Sequence, residues 1–483
     1  MNPAQPHRIR TAVAVASLFA VALSGCRVGP NYVAPAPPPP PAAYKEAPAN
    51  WTVATPQDQL PRGKWWEVYQ DAQLNTLEEK IAVSNQNLKL AYQQYMVARD
   101  LTRQARASLF PTIGVGATGS RQQLSLNRPT YSSQTPSTYS DTVIDGTLSY
   151  EVDLWGQVRR QVEAARETAQ ASAGDLENIS LSLHSELAVD YFGLRGLDLQ
   201  KQLLDATVID YEKALDLTKI RFHGGVASNV DVAQAQTQLD TTRAEDIDVG
   251  VQRAALEHAI AVLTGEPAST FSIPPSPLTA TPPVIPPGLP SQLLERRPDI
   301  AANERRAASA NAQIGVAIAA YYPQLAFNTG GGLESSAISA LFSGPSALWS
   351  VAGSAAETVI DGGRRRAVTQ QARDNYQASV AVYRENVLEA FQQVEDNLAA
   401  LRVLEQEATA EQRAVASARY SVDLSTTRYK GGATTYLEVL TAQSIALTDE
   451  RTAADLMTRR MTASVLLVKA LGGGWDRAQL PGS

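Results

Sequence analysis

The chain has 483 residues, 44% of them hydrophobic, and a formal charge of −7. That length is too great for one ordinary core, and the mild acidity argues against a nucleic-acid partner. Four histidines and one cysteine do not easily assemble a His/Cys metal site, and no cofactor is expected.

The first element in the chain is a targeting segment. His7, Arg8 and Arg10 form a charged n-region, and Thr11 to Leu23 an apolar h-region too short to span a bilayer as a stable helix. Leu23-Ser24-Gly25-Cys26 follows. Small residues before a lone cysteine resemble a bacterial lipobox, so that 1–25 is removed and Cys26 becomes a lipidated first residue; the alternative is an ordinary signal peptide with a leftover cysteine. Each acyl chain contributes about 0.8 kcal/mol per buried CH₂, and two or more chains anchor stably. Arg27, rather than an Asp, follows the cysteine and favours the outer membrane. No later segment offers about 18 uncharged apolar residues. A helical span is therefore not expected, and any membrane crossing must use strands.

Proline placement divides the rest. Ten of the 28 prolines lie in 30–61 and ten in 267–298. The first cluster makes 26–62 an anchor with a stiff polyproline II spacer. The second makes 267–298 a connector between two copies of one unit, 63–266 and 299–471, with 472–483 as a tail. RFHGGVASNVDVAQAQTQLD at 221 is rewritten as RYKGGATTYLEVLTAQSIAL at 428, and SLFPTIGVGATGS at 108 as AYYPQLAFNTGGG at 320. The offset between copies is 212 at Pro111 and Pro323 but 207 at Gly156 and Gly363, so the second copy has a shorter loop. A period this long is an internal duplication of a helix–hairpin–helix–helix unit, not a solenoid.

Within each copy the elements are legible. Strands are expected in hairpins at about 111–154 and 323–360. Ile144, Leu148, Tyr150 and Val152 alternate with Asp145, Thr147, Ser149 and Glu151; Ile113 and Val115 alternate with Thr112 and Gly114; Leu325, Phe327, Trp349 and Val351 repeat the pattern more weakly. Such strands fit an outer-membrane barrel, with a small soluble sheet on helices as the alternative. Four strands cannot close a barrel, so a membrane role requires several chains to share one. Rods are expected from Gln157 to Phe222 and Arg364 to Tyr429, each about 100 Å at 1.5 Å per residue, with heptad seams such as Tyr376, Val380, Tyr383 and Val387. Gly114, Gly116 and Gly119 match a nucleotide fingerprint but fall in a strand pattern, where small residues suffice as an explanation. Gly224-Gly225 and Gly431-Gly432 end the rods and suit tight helix-ending turns. Ser228 or Asn229, and Thr434 or Thr435, suit the caps of the next helices.

At this point the sequence resembles a known family. CRVGPNYVAP (26–35), KWWEVYQDAQLNTL (64–77), NLKLAYQQYMVARDLTRQARASLFPTIGVG (87–116) and LLERRPDIAANERRAASANAQIGVAIAAYYPQL (293–325) resemble the TolC-like outer membrane factors, in particular the lipoproteins of resistance–nodulation–division efflux pumps. The resemblance implies an α+β membrane protein. It implies a homotrimer whose chains pool twelve strands into one outer-membrane β-barrel, continuing into a long periplasmic α-helical barrel. It implies a lipid-anchored passive export duct, no enzyme, served by an inner-membrane pump and a periplasmic membrane-fusion adaptor that docks on the tip turns at Gly224, Gly225, Gly431 and Gly432. By resemblance Glu438 sits at an acidic periplasmic aperture, Asp231 at a tip position tying neighbouring helices, and Tyr429 in the closing latch. An arginine that some members place two residues after the second glycine is Thr434 here, which shifts the expected closure toward hydrogen bonding or packing. A first-turn acid favoured by the helix dipole is an equally good reading of Asp231 and Glu438. Other readings are a periplasmic lipoprotein tether without a pore, a protein-secretion component and a lipid-anchored enzyme; the last lacks any nucleophile–base pair or metal constellation.

Overall fold

The computed structural model describes residues 27–46, 63–129, 134, 136–286, 288 and 290–480. The expected signal segment 1–25 and Cys26 lie outside the described residues, as do 47–62 of the spacer. After a 3₁₀ turn at Trp65–Tyr69 come α1 (Ala72–Ser84), α2 (Gln86–Ala107), β1 (Thr112–Gln123), β2 (Thr138–Val152), α3 (Gln157–His223) and α4 (Asn229–Thr264). The second copy supplies α5 (Pro298–Ala319), β3 (Gln324–Ser335), β4 (Ala347–Ala356), α6 (Arg364–Lys430) and α7 (Tyr436–Ala470). From α2 onward one helix–hairpin–rod–helix unit is written twice. Both rods have 67 residues, about 100 Å each, and both end one residue beyond the expected aromatic. The drop in offset arises in the second hairpin, where β4 has 10 residues against 15 in β2. Among the described residues no helix is long and apolar enough to cross a membrane.

The chain divides into two compact units, each drawn from both copies. Of the described residues, the first comprises 27–35, 96–171 and 303–382. Its centre is an antiparallel sheet in the order β1-β2-β3-β4. Directly opposed residues share a face. Ile113 lies against Leu148, Leu148 against Thr329 and Thr329 against Val351; Tyr150 lies against Phe327. The opposite face carries Thr112 and Ser149 paired, Gly116 and Asp145 paired, and Asn328 against Ser149. The nucleotide-like glycines therefore belong to β1, and a side chain at Gly116 would meet the Asp145 carboxylate at 2.9 Å.

Each rod begins on an aspartate. Asp153 accepts from the backbone N–H groups of Val158 and Arg159 and from the Arg159 Nε, at 2.9–3.1 Å. Asp361 accepts from Gly363 and Arg365 N–H and from the Arg365 Nε in the same way, at 2.8–3.0 Å. The two arginine-rich motifs that echo each other in sequence are thus two helix starts. The start of the Pro-rich segment is docked rather than free. Fully buried Arg160 donates to Val28 O, Gly29 O and Asn31 Oδ1 at 3.1–3.2 Å. Gly29 has φ +92°, and a Cβ there would meet the Gly315 Cα at 2.5 Å, so this contact requires glycine. Trp155 stacks on Tyr322 with centroids 4.8 Å apart and donates from its indole N–H to Pro323 O at 2.9 Å.

The second unit comprises Ala36–Tyr95, Ser172–Ala302 and Tyr383–Ser483. Its core joins Trp65, Trp66, Leu74 and Ile81 to Leu187, Tyr191 and Phe192 of α3 and to Val465 and Val468 of α7. Inside it His184 stacks on Trp66 at 4.4 Å and its Nδ1 lies 2.7 Å from the Glu78 carboxyl. Burial raises the Glu78 carboxyl well above the usual range and pushes His184 down to about 4. The Pro-rich connector is pinned to α3 and α4. Arg195 donates to Pro274 O at 2.8 Å and Arg253 to Ile273 O at 2.7 Å, and both hold buried Asp198. In the RRPDI motif, Arg297 grips Asp299 through two N–H groups and also donates to Gln393 and Ala470 O. Pro298 opens α5, where its missing N–H costs nothing.

Each rod is also tied to the helix that follows it. Glu212 pairs with Arg243 in the first copy, and Arg419 with Glu450 in the second. Arg451 of α7 reaches Glu245 of α4 at 2.7 Å.

Candidate functional site

The tip site is made by the two turns that follow the rods. In each, the second glycine has positive φ, +74° at Gly225 and +75° at Gly432. Val226 N–H donates to Arg221 O and Gly225 N–H to Phe222 O; Ala433 N–H donates to Arg428 O and Gly432 N–H to Tyr429 O, all at 2.9–3.0 Å. These are Schellman helix ends, which fix the reversal through backbone alone. Gly224 and Gly431 do not share the positive φ.

The caps differ between the copies. Ser228 caps α4, accepting from Asp231 N–H at 3.2 Å, while the Asp231 carboxylate accepts from Ser228 N–H at 2.9 Å. This reciprocal capping box accounts for Asp231 as a first-turn acid. Thr435 and Glu438 occupy the equivalent positions of α7, but the Thr435 side chain makes no capping bond. Glu438 is exposed and makes no hydrogen bond or ion pair among the described residues.

Tyr429 is buried in a cluster with Tyr211, Leu215, Leu239, Tyr436 and Val439. Its ring meets Tyr436 edge-on, centroids 5.5 Å apart. Burial, followed by the neighbouring Tyr211 and Tyr429 hydroxyls, pushes the Tyr436 phenol up to about 12. The cation at the tip comes from the first copy. Arg221 sets its guanidinium 4.7 Å from the Tyr429 ring and donates to Lys430 O at 3.0 Å. Sequence reasoning missed this residue because it sought an arginine at the Thr434 position; the available signal was that Arg221-Phe222 and Arg428-Tyr429 are equivalent pairs. The Tyr429 hydroxyl, Arg221 Nε, Thr434 Oγ1 and Gln443 Oε1 are buried without a hydrogen-bond partner. Such groups carry an unmet desolvation cost.

The second feature of functional weight is the sheet. Trp349 is 80% exposed, Val115 84% and Ile113 73%. β1 and β4 are its edges. A four-stranded sheet with an apolar face in the open and two bare edges is incomplete as a water-facing structure.

Comparison with known proteins accords with this geometry. The family model described as outer membrane efflux protein matches residues 77–266 and 289–473, the two copies. The chain is 31% identical over 470 residues to outer membrane protein OprJ of Pseudomonas aeruginosa, covering 96% of each, and 30% identical to the solvent efflux pump outer membrane protein SrpC of Pseudomonas putida, covering 95% of this chain and 97% of that one. Among solved structures it is similar to the outer-membrane channel OprN, with TM-score 0.85, 27% identity and 93% and 100% of the two chains covered. It is also similar to the open state of the MtrE outer membrane channel of Neisseria gonorrhoeae, with TM-score 0.80, 26% identity and 94% and 99% covered. With both copies matched, the duplicated rods in place and a hairpin of the apolar-faced sheet ahead of each rod in the chain, this protein belongs to the outer membrane efflux protein family, the outer-membrane channels of efflux systems.

Proposed function

We propose that three copies of this chain pool their sheets into one twelve-stranded barrel and their helices into a periplasmic tunnel. The assembly is anchored by acylated Cys26 after removal of 1–25. The observation that carries this reading is the bare-edged sheet, since lipid tolerates no unpaired strand and four strands cannot close alone. The copies 63–266 and 299–471, joined by 267–298, act as quasi-equivalent staves, with 26–62 as anchor and spacer and 472–483 as a tail. The duct performs no chemistry. A periplasmic membrane-fusion adaptor docks on the turns at Gly224, Gly225, Gly431 and Gly432, and an inner-membrane pump loads the tunnel. By analogy with the solvent efflux relative, the cargo is small and apolar, a drug or other xenobiotic.

Glu438 carries the aperture role in this reading. Its carboxylate is uncommitted where that of Asp231 is spent on the cap, and threefold symmetry makes a ring of three like charges that favours cations. Tyr429 and Arg221 form the latch, and the unpartnered polar atoms around them make the closed tip cheap to open. A tether without a pore gains nothing from an apolar sheet face, and the protein-secretion alternative has no observation in its favour. The test is isolation from the outer-membrane fraction with and without heating in SDS, followed by planar-bilayer recording. A heat-labile, SDS-resistant trimer with discrete conductance is expected; a water-soluble monomer without conductance refutes the reading.

A further inference from the structure

We infer that the first unit contains a phospholipid-headgroup site at the root of the sheet, a cleft of about 410 Å³ that takes the phosphodiester of an anionic membrane lipid. The inference rests on the outer-membrane placement of the strands and on Cys26 as the anchor.

The cleft lies between the last turn of α2, which leads into β1, and the first turns of α3, which leads out of β2. Arg27, Arg106, Arg159 and Arg166 line it, against Glu163 and Glu167. Both acids are already engaged. Glu163 pairs with Arg27 and with Arg160 at 2.9 Å, and Glu167 with Arg305 at 2.8 Å. Arg159 is held by Asp153 at 3.1 Å. Arg106 and Arg166 are left with no hydrogen bond or ion pair among the described residues. Two guanidinium groups facing one cleft with no side chain hydrogen-bonded to them suit a phosphate, whose oxygens match their fork of N–H donors; the one acid acting on Arg166, Glu167, is shared with Arg305.

Two further observations select a lipid over a soluble anion. Leu109 and Val162 share the lining, and Phe110 and Ile113, 70% and 73% exposed, follow directly along the chain into β1. The ligand is thus offered an apolar path beside a cationic one. In addition, Arg27 is the residue after Cys26, and buried Arg160 pins Val28, Gly29 and Asn31 beside the cleft. An acylated Cys26 would bring the bilayer to within one residue of the arginines.

The test uses the full-length protein, delipidated in detergent and offered equal amounts of dioleoyl phosphatidylglycerol and dioleoyl phosphatidylcholine, with retained lipid counted by native mass spectrometry. The wild type is expected to prefer phosphatidylglycerol. The double variant R106Q/R166Q is expected to lose that preference about twenty-fivefold, at roughly fivefold per neutralised arginine, with its oligomer mass unchanged. Equal retention of the two lipids by the wild type overturns the proposal. Competition by millimolar inorganic phosphate reduces the cleft to a soluble-anion site and overturns the lipid assignment. Loss of the oligomer in the double variant assigns the arginines to a neighbouring subunit and overturns it too. Cys26→Ser separates this site from the anchor: the headgroup preference is expected to survive in it, whereas flotation of that variant in a sucrose gradient reads the anchor alone.

Discussion

Ser228 and Asp231 each satisfy the backbone N–H of the other, at 3.2 and 2.9 Å, while Thr435 and Glu438, their counterparts in the second copy, do not. Two turns with the same backbone therefore hold their acids differently, one committed and one available.

The first expected outcome concerns the cap. Ser228→Ala should cost about 1 kcal/mol of local stability, read as faster amide exchange in the first turn of α4. Thr435→Ala should leave α7 nearly unchanged. Equal effects in the two variants would show that the copies cap alike.

Within each Gly-Gly pair only the second glycine has a conformational reason to be glycine. Gly225→Ala is expected to cost about 1 kcal/mol or more because it forces a side chain to positive φ. Gly224→Ala should be neutral or slightly stabilising, since a Cβ there meets nothing closer than 3.5 Å. Thermal unfolding of the two variants side by side measures the difference.

At the proposed latch, Arg221→Ala removes the guanidinium from Tyr429 and a donor from Lys430 O. The contact is worth about 0.5–1 kcal/mol at a half-exposed site, so a several-fold rise in the open fraction in planar-bilayer recordings is expected. Tyr429→Phe, which deletes a hydroxyl without a partner, should leave closure intact or strengthen it. Unchanged gating in Arg221→Ala would remove this residue from the latch.

Glu438→Gln should lower cation preference in reversal-potential measurements, and Asp231→Asn should act mainly on the stability of α4. Unaltered selectivity in Glu438→Gln would exclude Glu438 from the constriction.

The buried Glu78–His184 pair gives a pH signature. Folded, burial keeps the carboxyl protonated and the imidazole neutral, so the pair holds one proton. Unfolded, with ordinary values near 4.3 and 6.5, it also holds one between those pH values. The pair is therefore silent there. Above about pH 6.5 the unfolded chain binds fewer protons than the folded one, and stability should fall by about 1.4 kcal/mol per pH unit until Glu78 ionises. Glu78→Gln should abolish this loss. It should also uncover a decline as pH falls from about 6.5 to 4, where the unfolded His184 gains a proton that the folded one refuses. Denaturation midpoints across pH, compared between the two proteins, measure both limbs.

Much of the architecture was legible because it rests on periodicity and punctuation. The prolines bracketed the rods, Gly224-Gly225 and Gly431-Gly432 marked their ends, and the alternation from Ile144 to Val152 marked β2. The weaker β3 and β4 followed only from their equivalence to the first hairpin, since Gly330, Gly331 and Gly332 dilute the pattern. Contacts between distant residues were not legible. Nothing local joins Glu78 to His184, Arg221 to Tyr429, or Arg160 to Gly29; each pair exists only because a rod brings far parts of the chain together. The Pro-rich segments also misled, because proline reports the lack of regular structure and not whether a segment is free or docked. Ile273 and Leu278, in the connector, are buried in the core.

The ion pairs between rod and following helix have opposite polarity in the two halves: glutamate then arginine at 212 and 243, arginine then glutamate at 419 and 450. A half that slid into its sister's seat would set Glu212 before Glu450 and Arg243 before Arg419, so mispairing is penalised while correct pairing is rewarded. The duplication has thereby acquired a sense of left and right. A chain that encoded its first half twice would keep every local turn and yet lose the Glu245–Arg451 tie that only unlike halves form.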